Sequence, residues 1–388
     1  MRRGSMRSRS YQRVTAATAG AEWYAPCAGQ LRTPEERTAA CGAAVTMSSP
    51  IEASRNSHFP NLMSLQSFIL REEERYPSAG GDFTWILSAL SLAAKSIAAK
   101  VRTARIEDVL GEQGGANVHG ETQQKLDVIA NDILMTCLGN RPSVAVVASE
   151  EDEEPTILRR GSQGGKYCVI FDPLDGSSNL DVCVSVGTVF SILRNDPNIP
   201  GAAETLQQPG TKQLAAGYIL YGSSTVFVLT TGNGVHMFVL DPAIGTFVLV
   251  KSNIQIPRAH RSYSVNEAYR HSFPAGIQRY LDWAHQHDYS SRYIGSMVSD
   301  VHRILLQGGV FLYPPTKKNP TGKLRLMYEA NPMAFIMEQA GGRAVVGSGP
   351  EPDRRVLEIE PTGIHQRTSL VIGSPDEVAN VLTHLKAS

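Results

Sequence analysis

The fourteen residues Lys166-Tyr167-Cys168-Val169-Ile170-Phe171-Asp172-Pro173-Leu174-Asp175-Gly176-Ser177-Ser178-Asn179 constrain this chain more than any other stretch. They open as a short apolar run of β-formers, the pattern of a buried strand. The run breaks at Asp172-Pro173, because proline cannot donate a ladder hydrogen bond, and Gly176 suits the tight turn that must follow. Such a turn holds Asp172, the Leu174 carbonyl and Asp175 around one small volume, the donor set that a hard divalent cation such as Mg²⁺ takes. Gly176, Ser177, Ser178 and Asn179 add N–H groups and hydroxyls that suit a phosphate beside the metal. Ordinary turn chemistry alone also produces Asp-Pro-x-Asp-Gly clusters. A second acidic cluster, Ser149-Glu150-Glu151-Asp152, closes another apolar run, Val144 to Ala148. Two consecutive strand-like runs ending in carboxylates point to a metal site at the carboxyl edge of an α/β sheet.

Around this centre the apolar periodicity predicts helices over 62–71, 83–104 and 122–138, with Asp82 as N-cap of the second. The Gly-rich segment 111–120 reads as a mobile loop near the site. Strands are expected at 184–194, 213–221, 225–231, 235–240 and 246–250, with Asn233-Gly234 as a hairpin turn. The Asp241-Pro-Ala-Ile-Gly245 turn lacks a second aspartate and reads as structural. Beyond Ser252, helices are expected at 274–287, 300–307 and 326–341, and strands at 310–313, 343–346 and 369–372. A last helix has Ser374 as N-cap, Pro375 at N1 and Glu377 at N3. Helices and strands that alternate without an internal repeat argue for layered α/β packing.

The segment Asp172-Pro-Leu-Asp-Gly-Ser-Ser-Asn179 resembles the metal-binding signature of the fructose-1,6-bisphosphatases, within the lithium-sensitive, metal-dependent sugar-phosphatase superfamily. The likeness runs from about Leu65 to Val381. It implies an α/β fold of five layers, α-β-α-β-α, with two mixed sheets. It also implies an N-terminal regulatory and metal-turn domain over 61–251 and a C-terminal sugar-phosphate-binding catalytic domain over 252–388.

Residue by residue, the resemblance makes Glu150, Asp172, Asp175, Glu329 and the Leu174 carbonyl ligands of two to three Mg²⁺ ions, for which Mn²⁺ or Zn²⁺ can substitute. Glu121 stands where the family often has a loop aspartate and would complete a third metal shell. Glu151 and Asp127 resemble the pair that orients and deprotonates the attacking water. Asp175, Gly176, Ser177 and Ser178 would meet the reacting phosphate. Asn266, Tyr269, Arg292, Tyr293, Tyr313, Lys323 and Arg325 match the sugar and distal-phosphate contacts, where a planar guanidinium suits phosphate and a lysine adds a point charge. The family equivalent of Arg292 reaches a neighbouring subunit's site, which implies at least a dimer and commonly a homotetramer. Thr84, Lys166, Tyr167 and Arg194 match an AMP-binding set, although Gly80-Gly81-Asp82-Phe83 replaces the usual Thr-Gly-Glu-Leu and would weaken it. The span 152–165 carries no cysteine, so thioredoxin control of the plastid type is not expected.

The implied reaction is Mg²⁺-dependent hydrolysis of the 1-phosphate of D-fructose 1,6-bisphosphate, in gluconeogenesis or carbon fixation. A sedoheptulose-1,7-bisphosphatase or dual enzyme would share the metal chemistry, and a catalytically silent sugar-phosphate or nucleotide sensor is the rival from another class. Lys+Arg and Asp+Glu are equal at 37 each, so no global field favours nucleic acid or an anionic membrane. The run of eighteen apolar residues that marks a transmembrane helix does not occur. Five cysteines without a Cys-x-x-Cys pair read as reduced thiols, with Cys137, Cys168 and Cys183 expected in the core. Residues 1–60 are basic and Ser-rich at the start and lack apolar periodicity. They read as an organellar transit peptide, a disordered extension or a stretch upstream of the true start at Met47. The expected compartment is the cytoplasm, or a plastid or other organelle on the transit-peptide reading. His285-Gln-His287 lies in an expected helix, where i and i+2 do not share a face, and is not a metal pair.

Overall fold

Two adjacent parallel strands, β1 (Val144–Ser149) and β3 (Tyr167–Asp175), form the spine of the fold. Every residue of both is buried, as expected of strands covered on both faces. The short β2 (Thr156–Ile157) pairs with the outer edge of β1. On the other side, β4 (Val186–Arg194), β5 (Ala215–Tyr221), β6 (Thr225–Thr230), β7 (His236–Asp241) and β8 (Thr246–Lys251) follow as an antiparallel meander. The eight-stranded order is β8-β7-β6-β5-β4-β3-β1-β2. A second, five-stranded sheet contains β9 (Ser262–Ser264), β10 (Ser290–Ser291), β11 (Val310–Tyr313), β12 (Arg343–Val345) and β13 (Leu370–Gly373), in the order β10-β9-β11-β13-β12. This computed structural model describes residues 62–75, 81–116, 122–159, 164–199 and 201–386. The basic extension, Cys27, Cys41, Met47 and Glu121 lie outside them.

Alternation of side chains across each sheet sorts the described core into three apolar slabs. Helices α1 (Leu65–Arg75), α2 (Asp82–Thr103) and α3 (Lys125–Gly139) pack Ile86, Leu90 and Leu134 onto Val147, Val169, Phe171 and Phe190 of the large sheet. The opposite face, with Ala148, Ile170, Val189 and Tyr218, meets α5 (Met297–Gln307) and α6 (Asn331–Gln339) through Val298, Val301, Met333 and Met337. Those two helices also meet Phe311 and Ile372 of the small sheet. The far face of the small sheet carries Tyr263, Leu312 and Val371, covered by Ile277, Tyr280 and Val381 of α4 (Ala275–Gln286) and α7 (Pro375–Lys386). The order is therefore helices, sheet, helices, sheet, helices, the five-layer arrangement that the resemblance implies. The expected domain boundary falls at the end of β8, within a compact unit that runs over 61–388.

Several local expectations change. Strand β3 does not stop at Asp172 but runs on to Asp175 through a bulge. Part of the Gly-rich segment forms a small antiparallel ladder, Glu112–Ala116 with Thr122–Gln124. Gly81 rather than Asp82 is the N-cap of α2, and Asp82 is its first helical residue. Asp82 directs its carboxylate to Lys166, at 2.5 Å. The expected helix over 326–341 begins as a π-helical turn, Leu326–Ala330, before α6. Pro332 lacks the N–H that an ordinary α-turn would need there, and the wider turn is closed by Asn331 N–H donating to the Leu326 carbonyl. Ser374 and Glu377 fasten α7 to its neighbours: the Ser374 hydroxyl donates to Pro257 (2.6 Å), and Glu377 accepts from His260 N–H (3.0 Å) and Tyr289 (2.7 Å). Cys168 is buried and Cys137 half-buried as a core role requires, but Cys183 is exposed, ending a 3-10 turn with φ +57°. Helix α2 is long and apolar enough to cross a membrane, yet its buried residues, Ile86 to Ala98, form the seam against the large sheet.

Candidate active site

The register of the parallel pair creates the site. Ser149 of β1 lies opposite Phe171 of β3, and the Glu150 N–H donates to the Phe171 carbonyl at 3.1 Å. Glu150 and Asp172 therefore emerge side by side where the two strands end. Against β4, Asp172 pairs with Val189 and Asp175 with Gly187, so three steps on β3 match two on β4. Residues three apart in a regular strand point to opposite faces. The extra residue of the bulge restores one face to both carboxylates. Pro173 is tolerated there because a bulge residue leaves the ladder, and its carbonyl accepts from the buried Thr188 hydroxyl at 2.8 Å. Gly176 then turns the chain at φ +76°, where an added Cβ would meet the Ser296 Cβ at 2.7 Å.

Glu329 enters from the π-turn. Oxygens of Asp172, Asp175 and Glu329, all buried, lie within 4.8 Å of one another. Burial is the largest influence on each, and it pushes all three carboxyls upward; for Glu329 the result is about 7. Three desolvated acids crowded together suit a hard divalent cation, whose charge offsets both effects. Glu150 lies beside this trio in the same cavity. Its carboxylate is paired with the Arg325 guanidinium, which also lies 3.8 Å from Glu329, and the Arg325 N–H donates to Glu329 at 2.5 Å. Arg325, expected among the sugar and distal-phosphate contacts, thus pairs with these carboxylates and lines the same cavity as Lys323 and Tyr313.

Asp127 reaches the same place from α3. It is the N3 residue of a capping box: Gln124 is the N-cap, and the Gln124 N–H donates to the Asp127 carboxylate at 2.9 Å. An acid on the edge of an apolar stripe is thereby turned inward and is only 4 % exposed. Burial, opposed in part by the Gln124 N–H and reinforced by the nearby Glu151 charge, pushes its carboxyl up to about 7. The Ser177 hydroxyl also bonds to it and joins the metal turn to α3.

A cavity of ≈ 320 Å³ is lined by Asp127, Glu150, Glu151, Asp172, Leu174, Asp175, Gly176, Ser177, Ser178 and Glu329. Tyr293, Tyr313, Lys323 and Arg325 also line it. Asn266 does not line the cavity but is tied to a residue that does: its side chain accepts from the Ala268 N–H at 3.2 Å and bonds to the Tyr293 hydroxyl. Tyr269 and Arg292 are not brought into the cavity. Tyr269 is 55 % exposed, and the exposed Arg292 donates to the neighbouring Ser291 carbonyl at 3.0 Å.

A family model for the fructose-1-6-bisphosphatase N-terminal domain matches residues 63–252, and one for the C-terminal domain matches residues 256–386. The chain belongs to the fructose-1,6-bisphosphatase family. Curated relatives agree. A class 1 fructose-1,6-bisphosphatase from Chlorobium chlorochromatii is 49 % identical over 327 residues, covering 82 % of this chain and 96 % of that one. Another, from Persephonella marina, is 49 % identical over 321 residues, covering 82 % and 97 %. Among solved structures, the Leishmania major fructose-1,6-bisphosphatase in holo form is 41 % identical with a TM-score of 0.78, covering 84 % of this chain and 99 % of that chain. The same enzyme in T-state gives 39 % and 0.74.

Within this fructose-1,6-bisphosphatase fold, the residues that match an AMP set gather at the start of α2. Lys166 pairs with Asp82, the Arg194 guanidinium stands 5.4 Å from the Tyr167 ring centroid, Tyr167 meets Phe83 edge-on at 5.8 Å, and Thr84 donates to Glu73. Sequence reading missed three residues at or beside the cavity, Ser296, Val298 and Asp300. The Ser296 hydroxyl and Val298 N–H, at the N-terminus of α5, both donate to Asp175 Oδ2, at 2.7 and 3.0 Å. Asp300 lines the cavity and is 1 % exposed. The helix expected over 300–307 starts instead at Met297, with Ser296 as the N-cap that accepts from the Ser299 N–H.

Proposed function

We propose that this chain hydrolyses the 1-phosphate of D-fructose 1,6-bisphosphate, with two to three Mg²⁺ ions as cofactors. The observation that carries the reading is the trio Asp172, Asp175 and Glu329 opening into one cavity that Asp127, Glu151, Lys323, Tyr293 and Tyr313 also line. Asp172, Asp175, Glu329 and Glu150 would hold the metals, which supply charge neutralisation at the phosphoryl group and acidify a water. Backbone N–H groups at Gly176 and the hydroxyls of Ser177 and Ser178 orient the reacting phosphate. Glu151 accepts the proton of the attacking water, and Asp127, held near neutrality in its affinity for a proton, completes the relay. Lys323, Tyr313 and the Asn266–Tyr293 pair receive the sugar and the second phosphate. Arg292, exposed in the single chain, suits a role across a subunit boundary in a homotetramer. AMP inhibition through Thr84, Lys166, Tyr167 and Arg194 fits the same reading, weakened by the Asp82–Lys166 ion pair that an incoming phosphate must open.

The test is phosphate release from fructose 1,6-bisphosphate with Mg²⁺, with EDTA, and with Glu151→Gln. Metal-dependent release that falls at least a hundredfold in the variant supports the reaction and the base. Faster turnover of sedoheptulose 1,7-bisphosphate would reassign the substrate. Binding of the sugar without any release would replace the enzyme with a sensor.

A further inference from the structure

Asp300 is a buried carboxylate for which the proposed chemistry has no use. It sits on the first turn of α5, and its oxygens meet three donors. Oδ1 accepts from the Ser264 hydroxyl (2.7 Å) and the Ile294 N–H (3.1 Å), and Oδ2 accepts from the Ile294 N–H (3.2 Å) and the Gly295 N–H (3.1 Å). Only an ionised acid offers enough lone pairs to satisfy this set without bringing a donor of its own. The groups it holds come from two separate elements. Ser264 ends β9 and lies two residues before Asn266, whereas Ile294 and Gly295 directly follow Tyr293. Helix α5 is itself fixed by the core through Val298, Val301, Ile304 and Leu305. The loop it anchors has no such apolar hold at Gly295, which turns at φ +89°.

We infer that Asp300 is a positioning residue for the distal-phosphate end of the site. It clamps the β9 terminus and the 293–295 loop to one rigid helix, so that Asn266 and Tyr293 stand together at a set distance from the carboxylates of β3. The same helix grips Asp175 through its N-terminus, so the spacing between the two phosphate positions is referred to one element. Asp300 touches no reacting atom, and its effect falls on a ligand that carries only the distal phosphate. The inference rests on the bisphosphatase reading above.

Fructose 6-phosphate, the product of that reaction, is the discriminating probe. Calorimetric titration should show Asp300→Asn binding it at least tenfold more weakly, because the amide would place a donor against the Ile294 or Gly295 N–H. Mn²⁺ binding, followed by paramagnetic resonance, should stay within twofold, and KM for fructose 1,6-bisphosphate should rise more than kcat falls. Ser264→Ala, which removes one bond and keeps the carboxylate, should weaken fructose 6-phosphate about threefold, with Ser264→Thr restoring it; this pair decides if Asp300→Asn does not fold. Unchanged fructose 6-phosphate affinity, or equal losses for sugar phosphate and Mn²⁺, overturns the assignment while wild-type hydrolysis of the bisphosphate still stands. A wild-type protein that releases no phosphate would instead remove the reading on which it rests.

Discussion

The guanidinium of Arg325 rests on the carboxylate of Glu150, both side chains being 7 % exposed. Arg325 also lies 3.8 Å from Glu329, so one cation serves two of the expected metal ligands. Removing one partner of a buried ion pair leaves an uncompensated charge, at a cost of about 3–5 kcal/mol. Arg325→Met should therefore lower stability by about 3 kcal/mol in urea denaturation with EDTA present. Saturating Mg²⁺ should recover much of that loss, since the divalent ion offsets the same carboxylates. Equal destabilisation with EDTA and with Mg²⁺ would show that the arginine and the metal do not share these ligands.

Asp127 makes metal-free stability depend on pH. Its carboxyl moves from an ordinary 3.8 to about 7 in the folded protein, first through burial. The folded state then holds a proton that the unfolded chain has already lost, so this residue's contribution is fully present below about pH 4. It is lost as pH rises through 7, by on the order of 4 kcal/mol as an upper bound. Asp127→Asn keeps an acceptor for the Gln124 N–H and carries no charge. In EDTA it should be more stable than wild type at pH 8 and similar at about pH 4, and its phosphatase rate should fall by about 10²–10⁴. Thermal melts at the two pH values check the first part, and a variant no more stable at pH 8 would overturn it.

Much of this is legible in the sequence, and the exceptions have physical causes. Strongly periodic or wholly apolar segments such as Val144–Ser149 and Val310–Tyr313 declare themselves, because burial on both faces demands that pattern. The Asp172/Asp175 pair was legible as a metal turn, but not as a bulged continuation of the strand. A bulge is set by the partner strand, here Thr188 of β4, some sixteen residues on. Asp127 looked like an edge residue, because helical periodicity reports which face is apolar and says nothing of a capping box formed with Gln124. The Arg325–Glu150 contact joins residues 175 positions apart by sequence number, and no local pattern encodes such a meeting. Asp300 was invisible for the opposite reason: an acid in the first turn of a helix is commonplace, and only its three donors mark it out.

The trio Asp172, Asp175 and Glu329 makes metal binding a stability measurement. A ligand that binds only the folded state adds about 2.7 kcal/mol at a hundred times its Kd. Mg²⁺ should raise the melting temperature of wild type, and EDTA should reverse the shift. Glu329→Gln retains the shape and the Arg325 N–H contact but removes one charge from the cluster. Its Mg²⁺-dependent shift should shrink to less than half that of wild type. An undiminished shift in Glu329→Gln would place the cation elsewhere.

Gly187 links sheet packing to the metal turn. It pairs with Asp175 across β3 and β4, and a Cβ added to it would come within 2.6 Å of Val298 Cγ1 and 2.7 Å of the Ile219 carbonyl. The carbonyl belongs to the neighbouring strand and has little freedom to move, so the helix must give way. Overpacking of this kind costs about 1–3 kcal/mol. Val298 is also the residue whose N–H donates to Asp175 Oδ2 at 3.0 Å, so a shift of α5 disturbs a candidate metal ligand directly. Gly187→Ala should therefore lower the urea midpoint and also raise the Mg²⁺ concentration for half-maximal activity several-fold, although residue 187 touches neither metal nor substrate. A lowered midpoint with unchanged Mg²⁺ demand would mean that the strain is absorbed by the sheet and that α5 stays in place against Asp175.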